Sequence, residues 1–179
     1  MEKDERQVAE WYNTLSSSYD ELYGKEQSKK HQAVLEVLEN RRFQVLVDIG
    51  CGTGTFLKQA EGMYDYAIGI DLSTGMLQIA KNRKTPNTDY ILASSSSLPL
   101  KNASSDCTVS ISTAKAEPKL PILLADLERI SREDSFLAFT LFQQPGLPTP
   151  ASLASRARFT IISERETLCF LRLASNLKC

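Results

Sequence analysis

The sequence predicts an α/β fold, a three-layer, doubly wound and mostly parallel sheet, and three observations predict it. Val45 to Ile49 is a short apolar run rich in β-branched residues, as in a parallel strand covered on both faces. It breaks into a glycine-rich turn, Gly50 to Gly54, with Thr55 to Ala60 able to start a helix behind it. Beyond this turn, short apolar runs alternate with helical patterns, which is how βαβ units read in sequence. A glycine turn at the carboxyl end of a central strand marks a ligand-binding crevice.

In chain order, Val8, Trp11, Tyr12, Leu15, Tyr19 and Leu22 recur at helical spacing, interrupted by the helix-weak Ser16, Ser17 and Ser18. Gly24 offers a stop, and Lys25 to Asn40 forms a second helix with Val34, Leu35, Val37 and Leu38 near its end. His31, the only histidine, lies in the polar first half of that helix and reads as solvated, which argues against a histidine general base. The first strand follows, with Asp48 near its carboxyl end. The glycines are spaced G-x-G-x-G. Phe56 and Leu57 follow Thr55, so the third glycine of the dinucleotide fingerprint is missing, and a diphosphate cradle or a nicotinamide-dependent oxidoreductase is disfavoured.

Tyr66 to Ile70 reads as a second strand ending in Asp71, and Ser73 to Lys81 as a helix with Ser73 well placed to cap it. After a turn at Thr85 to Thr88, Asp89 to Leu92 is a third strand leading into A-S-S-S-S-L-P-L. Asp106 to Ser112 is a fourth strand. Leu120, Leu123, Leu124, Leu127 and Ile130 give Pro118 to Arg132 a helical stripe, with Pro121 acceptable in the first turn. Phe136 to Phe142 is a continuous apolar fifth strand. Pro145, Pro148 and Pro150 then break the chain and leave Ala151 to Ala157 for a short helix. Phe159 to Ser163 and Thr167 to Leu173 form a closing hairpin.

The 179 residues suit one domain spanning 1–179, with helices in 1–43 and the sheet in 44–179. No long charge-free apolar run suggests a membrane span, and the charged start M-E-K-D-E-R is unlike a secretory signal, so a cytoplasmic location is expected. Cys51, Cys107, Cys169 and Cys179 lack metal-ligand spacing and read as reduced packing or turn residues. With 21 basic against 22 acidic side chains, no global charge bias points to nucleic acid.

Two motifs now carry a resemblance. D-I-G-C-G-T-G, from Asp48 to Gly54, and G-I-D-x-S-x-x-M-L-x-x-A-K, from Gly69 to Lys81, resemble the first and second motifs of the class I S-adenosylmethionine-dependent methyltransferases, in the branch acting on small molecules. The resemblance implies a Rossmann-like seven-stranded sheet with its last strand antiparallel. It also implies S-adenosylmethionine as cofactor, with S-adenosylhomocysteine as product. By matching position, Asp48 would hold the amino-acid end of the cofactor, with Gly50, Cys51, Gly52 and Gly54 lying against it. Asp71 would accept hydrogen bonds from the vicinal ribose hydroxyls, and Leu72 and Met76 of the second motif join the same site. S-Y-D-E-L-Y resembles the segment that folds over the cofactor in such enzymes, which assigns Tyr19 a cofactor contact; the alternative is that its aromatic stripe only covers the sheet.

The chain departs from the family after its third strand. An acidic residue usually stands there and accepts the adenine amino hydrogen, whereas this chain has Ser94 followed by Ser95. A neutral hydroxyl gives up the charge-assisted part of that bond, so cofactor affinity should be weaker than usual, and Ser94→Asp should restore it. Ser112, at the end of the fourth strand, would face the sulfonium, followed by Thr113, Ala114 and Lys115 rather than an N-P-P-Y-like sequence. The resemblance thus implies methyl transfer by in-line displacement to an unidentified acceptor, a small molecule or, if the site is open, a macromolecule. A catalytically silent cofactor-binding partner subunit is the alternative. No catalytic group and no oligomeric state is indicated.

Overall fold

A computed structural model describes residues 4–83, 85–113, 119–142, 157–163 and 166–172. The strands are β1 (Phe43–Ile49), β2 (Tyr64–Asp71), β3 (Thr88–Leu92), β4 (Ser105–Ser110), β5 (Ser131–Phe142), β6 (Ala157–Ser163) and β7 (Glu166–Arg172). They form one seven-stranded sheet in the order β3-β2-β1-β4-β5-β7-β6. Pairings from β3 through to β5 are parallel, and β7 runs antiparallel to both β5 and β6. The chain therefore steps outward from β1 to β3 and then returns to lay β4 on the other side of β1. At that reversal the connections diverge, which leaves a crevice beyond the carboxyl ends of β1 and β4.

Among the described residues five α-helices accompany the sheet: α1 (Glu5–Leu15), α2 (Tyr19–Leu38), α3 (Thr55–Gln59), α4 (Thr74–Asn82) and α5 (Lys119–Ile130). Val34 and Leu38 of α2 and Phe56 and Leu57 of α3 share one buried cluster with Leu46, Cys107 and Val109. Leu123, Leu127 and Ile130 of α5 pack in another with Val47, Ile49, Leu137 and Phe139. The strands are thus apolar on both faces, as their near-continuous hydrophobic runs require. Alternation along β1 sends Leu46 to the α2 and α3 side and Val47 and Ile49 to the other. Asp48 consequently shares the face of Leu46.

The interruption at Ser16 to Ser18 is as expected, but the stop at Gly24 is not. The break falls at a 3-10 turn, Ser16–Ser18, and α2 runs unbroken from Tyr19 through Gly24. A mid-helix glycine costs about 1 kcal/mol relative to alanine. Docking of the face formed by Gln27, His31, Val34 and Leu38, spaced 4, 3 and 4 residues apart, outweighs that cost. His31 is therefore not solvated: it is 9% exposed, stacked edge-on to Phe56 at 5.5 Å. β4 stops at Ser110 because Ser112 adopts φ 58°, outside strand geometry. β5 begins at Ser131 rather than Phe136.

Cys107 and Cys169 are buried within β4 and β7, Cys51 is buried in the glycine turn, and all three are free. Cys179 and the helix expected from Ala151 lie outside the described residues, and Ala157 begins β6. Among the described residues no helix is long and apolar enough to cross a membrane.

Candidate functional site

The turn after β1 is fastened to the end of β2. Gly50 N and Cys51 N both donate to Ile70 O, at 2.7 and 3.0 Å. Gly50, Gly52 and Gly54 take φ of 74, 53 and 75°, values that glycine adopts at little cost. Gly52 N donates to Asp71 Oδ2 at 2.9 Å and Ser73 N donates to Asp71 Oδ1 at 2.8 Å. The Asp71 carboxylate thus clamps the glycine turn to the start of α4, while Ser73 caps that helix through Met76 N. An ionised carboxylate offers about four lone-pair sites, and the Leu72 backbone also contributes to holding it, so capacity remains for a hydroxyl donor. Burial pushes the Asp71 carboxyl up, and the backbone donors from Ser73 and Gly52 oppose it.

Asp48 has no such support. It is 3% exposed, and its Oδ2 has no hydrogen-bond partner among the described residues. Burial first, and then the nearby Asp71 charge, push its carboxyl up to about 8. A buried acceptor without a donor costs about 1 to 3 kcal/mol, so such a group persists where a ligand completes it. Gly52 lies on the same turn, and a Cβ added to it would meet nothing within 4 Å, whereas one on Gly50 would lie 2.2 Å from Thr113 Oγ1. The turn therefore presents bare backbone to open space beside an uncompensated carboxyl group. These features fit the ammonium end of an amino-acid-like ligand.

A cavity of about 200 Å³ opens here, lined by Tyr19, Asp48, Gly50, Cys51 and Gly52 together with Asp20, Gln27, His31, Thr53, Arg83 and Ile111. Five of the sequence-predicted residues thus meet around one space. Gly54, Asp71, Leu72, Met76, Ser94, Ser95 and Ser112 do not line it. Gly54 instead lets α4 approach, since a Cβ there would lie 2.8 Å from Tyr90 Oη and 3.0 Å from Ala80 Cβ. Met76 is buried under α4. A cavity of this size falls short of the roughly 300 to 1,000 Å³ of pockets for drug-sized ligands. It accommodates one end of a long ligand.

The amino-terminal segment packs on the start of α4 and on the loop after β3. Asn13 Oδ1 accepts from Ser73 Oγ at 2.6 Å, Gly75 N at 2.9 Å and Thr74 Oγ1 at 3.3 Å, so α1 caps α4. A Cβ on Gly75 would come within 3.2 Å of the Asn13 backbone, which shows how closely the two helices approach. Glu5 reaches the loop after β3, where Ser94 Oγ and Ser96 Oγ donate to its Oε1 at 2.7 and 3.0 Å. Tyr19, at the junction of the two helices, packs on Tyr12 and Tyr23, and burial pushes its hydroxyl well above the usual range.

Several polar residues at the site escape the sequence reading. Thr53 Oγ1 donates to Asp20 Oδ1 at 2.7 Å, and the Arg83 guanidinium pairs with the Asp20 carboxylate and donates to the Thr53 carbonyl. This ties α2 to the glycine turn. Lys30 is 2% exposed, donates to Ser112 Oγ at 2.8 Å and pairs with Glu26 at 2.8 Å. It sets a cation at the carboxyl end of β4. His31 Nδ1 lies 3.1 Å from Gln59 Oε1, and burial lowers its pKa to about 4, so the imidazole is neutral at pH 7. The helical spacing of Gln27, His31, Val34 and Leu38 signals this inward face once α2 is read through Gly24.

Comparison with known proteins agrees with the fold and the turn. Residues 47–139 match the family described as a methyltransferase domain. The chain belongs to the class I S-adenosylmethionine-dependent methyltransferases. An uncharacterized protein of Methanocaldococcus jannaschii is 32% identical over 134 residues, 75% of this chain and 51% of that protein. The malonyl-[acyl-carrier protein] O-methyltransferase of Yersinia pestis is 26% identical over 144 residues, 80% of this chain and 53% of the enzyme. The chain thus spans about half the length of these relatives. Among solved structures, a DhpI complex with S-adenosylhomocysteine superposes with a TM-score of 0.76 at 14% identity, covering 94% of this chain and 96% of that one.

Proposed function

We propose that the protein transfers the methyl group of S-adenosylmethionine to an acceptor by in-line displacement, and that residues 1–179 act as one unit, with 1–43 covering a core formed by 44–179. The observation that carries this reading is the buried Asp48 Oδ2, without a donor among the described residues, beside a glycine turn that opens onto a cavity. Asp48 would receive the ammonium of the cofactor, the backbone from Gly50 to Gly54 would lie along it, and Asp71 would take the ribose hydroxyls. Leu72 and Met76 would shape the wall beyond Asp71, with Ser94 and Ser95 near the base. Tyr19 and the start of α2 would exclude water from the methionine end, which strengthens every charge interaction there.

The bound cofactor supplies a sulfonium methyl that is already activated toward a nucleophile. What remains for the protein is positioning, holding reacting atoms about 3 to 3.5 Å apart in line. Ser112 and Lys30 sit at the carboxyl end of β4, where an acceptor would approach. His31 is neutral but too weakly basic, at a pKa of about 4, to act as a strong general base near pH 7. The Yersinia relative methylates an oxygen, as its name states, and an oxygen acceptor is a reasonable first class to try here. Three free buried cysteines support a reducing, cytoplasmic setting.

The test is turnover of methyl-labelled cofactor with RNA, protein and metabolite fractions, alongside calorimetry of cofactor binding. Labelled product together with S-adenosylhomocysteine is expected in one fraction. Binding without turnover in any of them would favour a silent partner subunit, and absence of binding would refute the cofactor reading altogether.

A further inference from the structure

The strand end that would face the adenine carries serine, and a hydroxyl is a weaker acceptor for an amino hydrogen than a carboxylate. Yet a carboxylate is present at that place. It belongs to Glu5, the first residue of α1, and Ser94 Oγ and Ser96 Oγ both donate to its Oε1, at 2.7 and 3.0 Å. Ser96 N in turn donates to Ser94 Oγ at 3.0 Å, which fixes the hydroxyl that holds the carboxylate.

Two features make this more than a chance surface contact. The position of Glu5 is set from both ends of α1. Asp4 caps the helix through Gln7 N, and Asn13 locks its far end onto Ser73 and Gly75 at the start of α4. The contact also bridges 89 residues of sequence to Ser94, which stands where the family usually carries an acidic residue. Glu5 stands in the first turn of α1, where the helix macrodipole favours a negative charge.

We infer that Glu5, held by Ser94 and Ser96, replaces the missing acidic residue and accepts the amino hydrogens of the cofactor's adenine. Resting on the cofactor reading above, this makes α1 both a cover for the adenosine end and the element that recognises its base. Ser94 then serves as a positioning residue. A purine with a 6-oxo group in place of the amino group offers a lone pair where a hydrogen is needed, and the carboxylate repels it. The expectation for Ser94→Asp changes accordingly. Alone, it sets a second carboxylate against Glu5 and should weaken binding rather than restore it.

The experiment is calorimetry of the full chain with S-adenosylhomocysteine and with S-inosylhomocysteine, its 6-oxo counterpart, for the unaltered protein, Glu5→Gln, Ser94→Asp and the double variant. Thermal melts check that each is folded. The unaltered chain should prefer the adenine compound by roughly tenfold or more, as one charge-assisted hydrogen bond allows. Glu5→Gln should lose most of that preference, Ser94→Asp should bind more weakly than the unaltered chain, and the double variant should regain the preference. Undiminished discrimination in a folded Glu5→Gln variant would overturn the inference, as would tightening by Ser94→Asp that is the same with or without Glu5. If the unaltered chain binds neither compound, the cofactor reading fails and the inference with it; binding without preference between the two overturns the inference alone.

Discussion

Asp48 concentrates the conflict between stability and binding in one carboxyl group. Its pKa of about 8 in the folded chain, against an ordinary value of 3.8, means that the folded state holds a proton that the unfolded state has released. Stability from this group is complete below about pH 4 and is lost as the pH rises toward 8. Asp48→Asn removes the charge at nearly constant volume. The variant should therefore match the unaltered protein in Tm near pH 4 and exceed it increasingly as the pH rises toward 8, and equal melting curves at pH 9 would show that the carboxyl is not charged at a cost. Cofactor binding has the opposite sign. To meet an ammonium group Asp48 must give up its proton, so affinity should rise by up to about tenfold per pH unit between pH 6 and 8 and then level. Calorimetry in buffers of different ionisation enthalpy would register the released proton. The pairing of Asp48 with a strand and a glycine turn is legible in sequence, but its missing donor is not, because only the packing of α2 and α3 decides whether water or another side chain reaches it.

At the scale of the elements, the glycine turn separates two roles that its sequence pattern merges. Gly54 and Gly52 both take positive φ, so alanine strains each by a similar amount, about 1 kcal/mol. At Gly54 the added methyl also meets Tyr90 Oη and the Ala80 side chain and backbone, while at Gly52 it points into open space. Gly54→Ala should therefore lose about 1 to 3 kcal/mol of stability through overpacking between the turn and α4. Gly52→Ala should stay close to the strain cost alone and lose cofactor binding. Denaturant titration and calorimetry on the same two proteins check this, and equal stability losses would mean that α4 gives way. Most strands and helices α3, α4 and α5 are readable because their apolar periodicity coincides with burial on the sheet. α2 continues through Gly24 against its local propensity because a tertiary contact that only the folded sheet provides outweighs it. For the same reason the polar character of His31 and Lys30 reads as exposure until the helix is phased from Tyr19.

The whole molecule raises the question of how a ligand longer than the cavity enters. A doubly wound, mostly parallel sheet is legible from the alternation of elements and the two motifs, whereas the strand order and its reversal between β1 and β4 come from the structure. The docking of the amino-terminal segment is not legible either, because it rests on single side chains: Asn13 on Ser73 and Gly75, Glu5 on Ser94 and Ser96, and Arg83 with Thr53 on Asp20. None of these pairs has a periodic signature. α1 buries no residue fully, and Trp11 is 53% exposed, so the segment is held by a few polar contacts rather than by a core. Elements of that kind open at low free energy. α2 behaves differently, since Val34 and Leu38 are wholly buried, and the 3-10 turn at Ser16–Ser18 is the natural hinge between the two. Removing residues 1–15 should leave the sheet and α2 folded, admit cofactor faster, and release it faster still, by tenfold or more, because the covering contacts act after entry. Stopped-flow measurement of binding and release would show it. A truncated protein that releases cofactor at the rate of the full chain would mean that α1 covers the site without closing it.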